Sequence, residues 1–538
     1  MTRVWASWRA ALVGGLVAAI ATLPGLGVGT LWDNSETAYG EVAREIILYH
    51  DPIVLHFNGV PWFVQPPLYF WIAAALAHLF GVTEFALRLP SALATIGMGA
   101  AVGYVVARCT GSRAAILASV VLSTSLMQEV VGRLAIMDAL LDLAVALAIL
   151  AWFGALRGGG MRSWYLGWIA LALGMLAKGP VALAITALVI GPWALWEARN
   201  GTPVIVPRAV HWLGGIATFV AIVAPWSIML FGAAGAAPFA EIVGHYTFGR
   251  YLGTIENQSG PLWYYVPVVI LGTFPWFPYL LPAALAGARV ARERGDGSLT
   301  RLALTWAVIP FVFFSFAQTK LPNYIALELP AFAILIATWF DAVVRSDERR
   351  AALGWTAVVP ITVGMLVFAI WAFSHDNKLT HDLQVLRGTI AVSAWALSLG
   401  SALCFVLLLR RPVAWLAPFV LGATSLLTMS IVATSAEPLT ERFKPIPRLA
   451  ALIERDRRPA DLVAIDGVSG GNALLFYTRP PVVQAEGDVR RAICAAPRAF
   501  VVASRTRPRP DPSYGRARHT LAVAGNDVLF LYDGPPCS

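Results

Sequence analysis

Apolar runs of roughly 20 residues recur along most of this sequence, and a helix needs about that length to cross the hydrocarbon core of a membrane. Only 13% of the 538 residues are charged, whereas about a quarter of an ordinary soluble domain is charged. A chain with so few charged residues does not have the composition of a set of soluble domains. The sequence therefore predicts an α-helical polytopic membrane protein.

Thirteen membrane spans can be drawn on this pattern. The stretch from Pro66 to Val82 is too short to cross easily and is predicted to be an interfacial or re-entrant helix. Apolar residues at helical spacing after Asp33 predict another interfacial helix. The two runs that flank Lys178 are also compatible with one broken helix. The predicted spans are residues 10–29, 88–108, 114–132, 140–156, 164–179, 181–197, 210–231, 264–287, 300–318, 324–342, 352–373, 388–409 and 413–433.

The basic residues, which give the chain a net charge of +9, lie mostly in short loops between the apolar runs. With the N-terminus in the cytoplasm, all seven inner segments are rich in positive charge, as the positive-inside rule requires. An odd number of spans then places the C-terminus outside. The basic residues form no stripe interleaved with aromatic residues, so no nucleic-acid partner is expected.

The composition changes after about residue 436, where polar residues replace the long apolar runs and short apolar strands are predicted at residues 462–465, 500–503 and 528–532. This change predicts a transmembrane domain at residues 1–436 and a small α/β domain at residues 437–538 on the outer side. Cys494 and Cys537 both fall in this tail. We expect them to form a disulfide in an oxidising compartment; the alternative is a buried Cys494 and a disordered chain end.

Two carboxylates, Asp33 and Glu36, lie in the first outer loop where a helix is predicted to begin. A capping box would account for both, since such side chains bind the exposed amides of a first helical turn. A residue at the aqueous boundary can also act on a substrate. Capping and catalysis do not exclude each other, and both interpretations stay open.

Further ionisable residues are predicted at other outer edges of the membrane. Asp138 follows Arg133, and a structural pair between these two is the alternative to a functional role. Charge inside a membrane costs about 2.5–3.5 kcal/mol at a helix centre and needs a partner or a water-filled cavity. The same side is predicted to carry Lys178, Arg250, Lys320 and Tyr324. Cations and carboxylates together indicate an anionic head group, for which phosphate is the natural candidate.

Eight short motifs occur in order from residue 31 to about residue 340. They are Trp32-Asp33 with Glu36, Ala43-Arg44-Glu45, Asn58-Gly59-Val60-Pro61, Pro66-Pro67-Leu68-Tyr69-Phe70-Trp71, Phe80-Gly81-Val82, Phe85-Ala86-Leu87-Arg88-Leu89-Pro90, Leu176-Ala177-Lys178-Gly179-Pro180 and Lys320-Leu321-Pro322-Asn323-Tyr324. Each motif is weak alone, but their order is specific. Together they resemble the bacterial protein-mannosyltransferase-like superfamily of GT-C glycosyltransferases, and most of all its lipid A 4-amino-4-deoxy-L-arabinose transferases.

This resemblance implies a GT-C fold and an inverting transfer of one sugar from undecaprenyl phosphate at the periplasmic face of the bacterial inner membrane. The implied acceptor is lipid A, a glycan or a protein. The protein itself is expected to contact membrane lipids. By motif position, Asp33 and Asp138 are implied as the catalytic acidic residues, and Lys320 and Tyr324 as residues near the lipid phosphate. Asp33 would be the general base for a hydroxyl acceptor and a positioning group for a phosphate acceptor.

One motif departs from the family pattern. The aminoarabinose transferases carry Glu-Lys before the Pro-Pro pair, with the Lys on the donor phosphate and the Glu at a metal site, whereas this chain has Val64-Gln65. An uncharged Gln can only form hydrogen bonds. The identity of the sugar and the use of a divalent metal ion therefore stay open. The predicted substrate-binding residues are Glu36, Arg44, Gln65, Arg133, Lys178, Arg250, Lys320 and Tyr324.

Two other classes of function fit a polytopic chain with buried charge. One is a lipid-linked sugar transporter or flippase, and the other is a non-catalytic subunit of an envelope-synthesis complex. Transporters usually contain repeated halves with broken helices, and the sequence shows no such repeat. The clustering of charge on the predicted outer side favours a glycosyltransferase.

The predicted topology can be tested with a reporter enzyme that is active only in the cytoplasm. Fused after Ser538, the reporter should be inactive because the tail is predicted to be periplasmic. A fusion in the loop after residue 199 should be active and serves as the control. Activity of the C-terminal fusion would show that one span has been miscounted.

Overall fold

The chain is described by a computed structural model in which helices dominate. Its contacts divide it into two compact units: Met1–Leu26, Phe63–Tyr69 and Arg88–Ala436 form the first, and Gly27–Trp62, Phe70–Leu87 and Glu437–Ser538 the second. The predicted division at residue 436 coincides with one of these boundaries, but the second unit also takes in two N-terminal segments. The described residues are 2–32, 35–255, 257–293, 297–344, 346, 352, 354–356, 358–360, 363, 386–466, 468, 471–480, 482–484, 489–504, 517–524 and 527–533.

Long apolar helices make up most of the first unit. The α-helices are Thr2–Thr22, Glu84–Cys109, Ser112–Ser123, Leu126–Arg133, Asp138–Gly154, Met161–Lys178, Val181–Arg199, Ala209–Ala234, Tyr265–Gly272, Phe277–Arg292, Ser298–Phe316, Leu329–Val343, Arg387–Leu409 and Ala417–Ile431. Shorter helical segments connect them: Ala155–Gly159, Ala237–Phe239, Ala240–Gly249, Arg250–Leu252, Pro322–Glu328, Arg411–Leu416 and Val432–Ala436. The chain is therefore a multi-pass membrane protein.

Among the described residues, 8 helices are long and apolar enough to cross a membrane, or up to 10 if each of two bent pairs is one span. The pair Tyr265–Gly272 and Phe277–Arg292 is bent by 105° at a break that contains Pro275, which has no amide hydrogen to continue a helix. The predicted number of thirteen is not confirmed. The predicted span 352–373 lies largely outside the described residues, and the spans at 10–29 and 164–179 are not among the ten.

Buried tryptophans connect the helices of the first unit through their indole N–H groups, because a buried donor without an acceptor is costly. The Trp276 indole donates to the Thr124 hydroxyl at 2.9 Å, and the Trp306 indole donates to the Leu327 carbonyl at 2.8 Å. The first bond joins two helix ends that are 152 positions apart in the sequence, and the second joins the consecutive helices Ser298–Phe316 and Pro322–Glu328. Among the described residues, the fully buried tryptophans are Trp164, Trp193, Trp276 and Trp306.

The second unit combines N-terminal helices with a C-terminal sheet. Its helices are Glu36–Tyr49, most of Leu68–Phe80, Glu437–Thr440, Glu441–Phe443, Pro445–Asp456, Asn472–Tyr477 and Val489–Ala495. Strands β1 (His56–Phe57) and β2 (Val60–Pro61) form a hairpin. The sheet strands are β3 (Leu462–Asp466), β4 (Val482–Gln484), β5 (Ala499–Ser504), β6 (Ala517–Ala524) and β7 (Asp527–Asp533), in the order β4-β3-β5-β7-β6. Strand β3 is parallel to β4 and β5, and β7 is antiparallel to β5 and β6.

Both faces of this sheet are apolar, since alternate side chains of its central strands enter different clusters. Val463 and Phe500 pack with Leu449 of the helix Pro445–Asp456, whereas Ala464 and Val501 pack with Ile493 of the helix Val489–Ala495. Side chains alternate between the two faces along a strand. The sheet is therefore covered by helices on both sides.

The cysteines fall into two classes. Cys109 and Cys404 are not in disulfides, and Cys494 is disulfide-bonded. The partner predicted from the sequence, Cys537, lies outside the described residues.

A fully buried ion pair joins two helices of the first unit. The Arg301 guanidinium donates to both carboxylate oxygens of Glu197, from Nε at 2.5 Å and from Nη2 at 3.2 Å. Both side chains have no exposed surface. A bidentate pair of this kind holds the helices Val181–Arg199 and Ser298–Phe316 in one register.

Replacing Arg301 with Met should lower the free energy of unfolding by about 3–5 kcal/mol, because Glu197 loses its bidentate partner. The measurement is thermal or denaturant unfolding of the purified protein in detergent. The double variant E197L/R301M should recover most of the lost stability. The control is R199M, at an exposed position of the helix that carries Glu197, and it should change stability by less than about 0.5 kcal/mol. An unchanged stability of R301M would contradict this account.

Candidate active site

A carboxylate, an ammonium and an amide meet in the first unit. The Asp138 Oδ1 atom accepts from the Lys178 Nζ atom at 2.5 Å and from the Asn323 Nδ2 atom at 2.6 Å. Asp138 is 6% exposed and is the first residue of the helix Asp138–Gly154, where the helix dipole favours negative charge. The sequence predicted both Asp138 and Lys178, and the structure makes them partners.

The local backbone explains the position of the Lys178 ammonium. Its helix ends at Lys178 because Gly179 adopts φ 81°, a left-handed value that favours glycine, and Pro180 follows. The Nζ atom lies 5.2 Å from the centroid of the Tyr324 ring. This ring packs in turn on Phe314 at 4.9 Å between centroids. Lys178 is therefore held by a carboxylate and by an aromatic face.

Arg250 and Lys320 are connected through one residue, Gln258. The Arg250 Nη1 atom donates to the Gln258 side-chain carbonyl at 3.2 Å, and the Lys320 backbone N–H donates to the Gln258 backbone carbonyl at 2.8 Å. The Arg250 guanidinium also lies 5.7 Å from the centroid of the Tyr246 ring. Gln258 thus brings the segments of the two predicted cations together.

The Lys320 ammonium binds the end of a helix. It donates to the carbonyl of Ser315 at 2.8 Å and to that of Ala317, at the C-terminus of the helix Ser298–Phe316, where carbonyls have no helical partner. Burial lowers the pKa of Lys320. An ammonium has three donors, so two carbonyls leave one N–H of Lys320 for another acceptor.

Arg133 also binds carbonyls at a helix end. Its Nη1 atom donates to Ala21 and Thr22, each at 3.0 Å, and its Nη2 atom to Pro24. These carbonyls follow or end the helix Thr2–Thr22. The contacts favour a structural role for Arg133 over substrate binding, for which the sequence proposed it.

Arg44 has an equivalent role in the second unit. Its guanidinium donates to the carbonyls of Leu475, Phe476 and Thr478 at 3.0, 3.3 and 2.9 Å, at the C-terminus of the helix Asn472–Tyr477. It also forms an ion pair with Glu41 at 2.6 Å. Burial raises the pKa of Glu41 to about 7, which Arg44 opposes. These contacts favour a structural role for Arg44 as well.

The remaining predicted residues are placed as follows. Glu36 is the buried first residue of the helix Glu36–Tyr49 and its Oε2 atom accepts the Trp32 N–H at 2.9 Å. The N-cap residue of this helix is Ser35, whose side chain forms no capping hydrogen bond. Gln65 is 9% exposed in the first unit. Asp33, the predicted catalytic residue of the first loop, lies outside the described residues.

The residues present do not fit the metal site that the resemblance implies. Val64 has no ligand atom, and Gln65 supplies no charge. Within the described ranges, no group of three or more His, Cys, Asp or Glu side chains is arranged to hold a metal ion. No step is therefore assigned to a metal.

Two residues of the site, Asn323 and Gln258, were missed from the sequence. Asn323 lies inside the motif Lys320-Leu321-Pro322-Asn323-Tyr324. The motif could have identified it, but only Lys320 and Tyr324 were predicted as site residues. Gln258 follows no motif and had no such signal. A search for ionisable groups passes over uncharged amides. Here, however, Asn323 positions Asp138 and Gln258 positions Arg250.

Comparison with known proteins identifies relatives over most of the chain. Residues 64–229 match the family model described as dolichyl-phosphate-mannose-protein mannosyltransferase. Two curated relatives are undecaprenyl phosphate-alpha-4-amino-4-deoxy-L-arabinose arabinosyl transferases. The one from Edwardsiella ictaluri is 30% identical over 80% of this chain and 78% of its own length. The one from Enterobacter sp. is 31% identical over 68% of this chain and 67% of its own length.

The fold is shared with a solved structure. The crystal structure of ArnT from Cupriavidus metallidurans bound to undecaprenyl phosphate superposes with a TM-score of 0.82 over 97% of this chain and 98% of that chain, at 22% identity. The resemblance inferred from the eight motifs is confirmed, and the chain is a glycosyltransferase of the GT-C type. It belongs to the family of undecaprenyl phosphate-alpha-4-amino-4-deoxy-L-arabinose arabinosyl transferases.

Proposed function

We propose that this protein transfers one sugar from an undecaprenyl phosphate donor to lipid A, or to a related glycan or protein acceptor, at the periplasmic face of the inner membrane. The observation that carries the proposal is the Lys178 ammonium held by the Asp138 carboxylate at 2.5 Å. The curated relatives, which are named for an undecaprenyl phosphate-linked sugar, supply the donor class.

The donor phosphate is held by cations of the first unit. Lys178 and Arg250 are fixed by side-chain partners, and Lys320 adds the N–H that its two helix carbonyls leave over. The Asp138 carboxylate orients Lys178, and the Asn323 side-chain amide in turn fixes that carboxylate. Arg44 and Arg133 stabilise helix ends and are not part of the phosphate site.

In the reaction, an acceptor oxygen attacks the anomeric carbon of the sugar while the bond from that carbon to the phosphate oxygen breaks. The electron pair of the broken bond leaves with undecaprenyl phosphate. Lys178 and its neighbouring cations stabilise the charge that develops on this leaving group. Asp33 accepts the proton of a hydroxyl acceptor, whereas a phosphate acceptor needs no base and Asp33 then positions it.

The topology belongs to the same proposal. The chain has thirteen spans with its N-terminus in the cytoplasm, and residues 437–538 form a periplasmic α/β domain. The positive charge of the seven inner segments supports this orientation. The five-stranded sheet of the tail, covered by helices on both faces, supports the assignment of an α/β domain.

Turnover by the purified full-length chain tests the function directly. Reconstituted with a donor labelled in the sugar and with lipid A, the protein should form labelled lipid A and release undecaprenyl phosphate. Movement of labelled donor across the liposome membrane without sugar transfer would instead support a flippase. Neither activity, in protein that is shown to be folded, would contradict the proposal.

Replacing Lys178 with Met should lower kcat/KM by roughly 100–1,000-fold, the usual loss when one group that stabilises developing charge is removed. N323A should lose less, because Lys178 still holds Asp138. The matched control is R162M, which should keep wild-type turnover. Arg162 is exposed and lies at the other end of the helix Met161–Lys178 that carries Lys178. Near-wild-type activity of folded K178M would exclude Lys178 from the phosphate site.

Replacing Asp33 with Asn keeps the size of the side chain and much of its capping ability. With a hydroxyl acceptor, loss of the general base should reduce turnover by about 100–10,000-fold. The glutamate control E36Q alters the neighbouring backbone contact and should affect stability more than turnover. If D33N folds and keeps its activity, the capping interpretation stands and the catalytic one is wrong.

A further inference from the structure

An apolar cleft lies within the second unit, between the helices Glu36–Tyr49 and Leu68–Phe80. Its volume is about 480 Å³, which is within the range of pockets that hold small ligands, roughly 300–1,000 Å³. Aliphatic side chains of Ile46, Ile47 and Ile53 form part of the wall, and Trp71 and Ala75 form part of the opposite side. None of the residues assigned to sugar transfer lines the cleft.

The interior of the cleft offers no polar group to a ligand. The Trp71 indole N–H, the obvious donor of the wall, is already bound to the Pro52 carbonyl at 2.7 Å. The two polar side chains of the lining are His50 and His78, and both are exposed. A ligand that matches this arrangement has a long apolar part and a polar head near the two imidazoles.

The apolar surface continues beyond the cleft on the same two helices. Leu48 is 49% exposed and Tyr49 45%, while on the other helix Leu79 is 72% exposed and Phe80 56%. The sequence predicts an interfacial helix at each of these two places, and apolar surface on interfacial helices meets lipid. The cleft is therefore continuous with a surface on which bilayer lipids are the available ligands.

We infer that the cleft binds one acyl chain of a bilayer glycerophospholipid, with the lipid phosphate beside His50 and His78. Imidazole N–H groups donate hydrogen bonds to phosphate oxygens. The acyl chain packs against the aliphatic wall, and the Trp71 N–H keeps its bond to the Pro52 carbonyl. A glycerophospholipid is the chosen occupant because it is the lipid that such a surface meets at highest concentration. The site is independent of the proposed reaction.

Photo-cross-linking tests this site in the full-length protein. The protein is reconstituted in nanodiscs of phosphatidylethanolamine and phosphatidylglycerol that contain a phosphatidylethanolamine with a diazirine in its acyl chain. After illumination, peptide mapping should find label concentrated in residues 46–53 and 71–78. The variant A75W fills the cleft and should reduce this label at least fivefold.

The matched control is L79W, which places the same ring one turn away on the same helix, where the side chain points into open surroundings. It should leave the label unchanged, and the thermal stability of both variants is measured alongside. Equal label in A75W and L79W would overturn the inference, as would label that equimolar lipid A or undecaprenyl phosphate removes while excess phosphatidylglycerol does not. The latter result would assign the cleft to a substrate lipid.

Discussion

The carbonyls at the C-terminal ends of helices constrain the rest of this structure. The last carbonyls of a helix have no partner within it, and burial in a membrane or in a protein interior removes the water that could replace that partner. Three cations satisfy such carbonyls here: Arg133 after the helix Thr2–Thr22, Lys320 after Ser298–Phe316, and Arg44 at the end of Asn472–Tyr477. The positive-inside rule predicts that these residues lie on the outer side, which is poor in positive charge. The helix ends give a physical reason for the presence of these three cations.

Lys178 differs from these cations in its partners. Its ammonium is fixed by a carboxylate at the start of another helix and by the face of Tyr324. An ammonium has three N–H donors, so it can bind more than one acceptor at a time. In the proposed reaction, this ammonium stabilises the charge on the leaving phosphate. The helix that carries it ends at Lys178 because Gly179 adopts φ 81°. The backbone geometry of one glycine is thereby connected to the chemistry of the site.

Much of the fold could be predicted from the sequence, because periodicity and length report local structure directly. The strands predicted at 462–465, 500–503 and 528–532 are observed as β3, β5 and β7 with ends shifted by one residue. Strand β4 was missed because Val482–Gln484 is too short to show alternation. Strand β6 was missed because Ala517–Ala524 does not alternate apolar and polar residues. Asp138 and Lys178 were predicted from their positions at the outer edge of the membrane. The sequence could not show that Arg44 and Arg133 bind carbonyls, since a basic residue has the same appearance whether its partner is a backbone or a substrate.

Binding of undecaprenyl phosphate, the leaving group of the proposed reaction, tests the central claim most directly. Its Kd should be measured for the wild type, K178M and R44K by competition or calorimetry in detergent. The account predicts that K178M binds at least tenfold more weakly, a loss of about 1.4 kcal/mol or more. R44K should bind with the wild-type Kd while unfolding at a lower temperature. Wild-type affinity of K178M together with weakened binding by stable R44K would contradict the account.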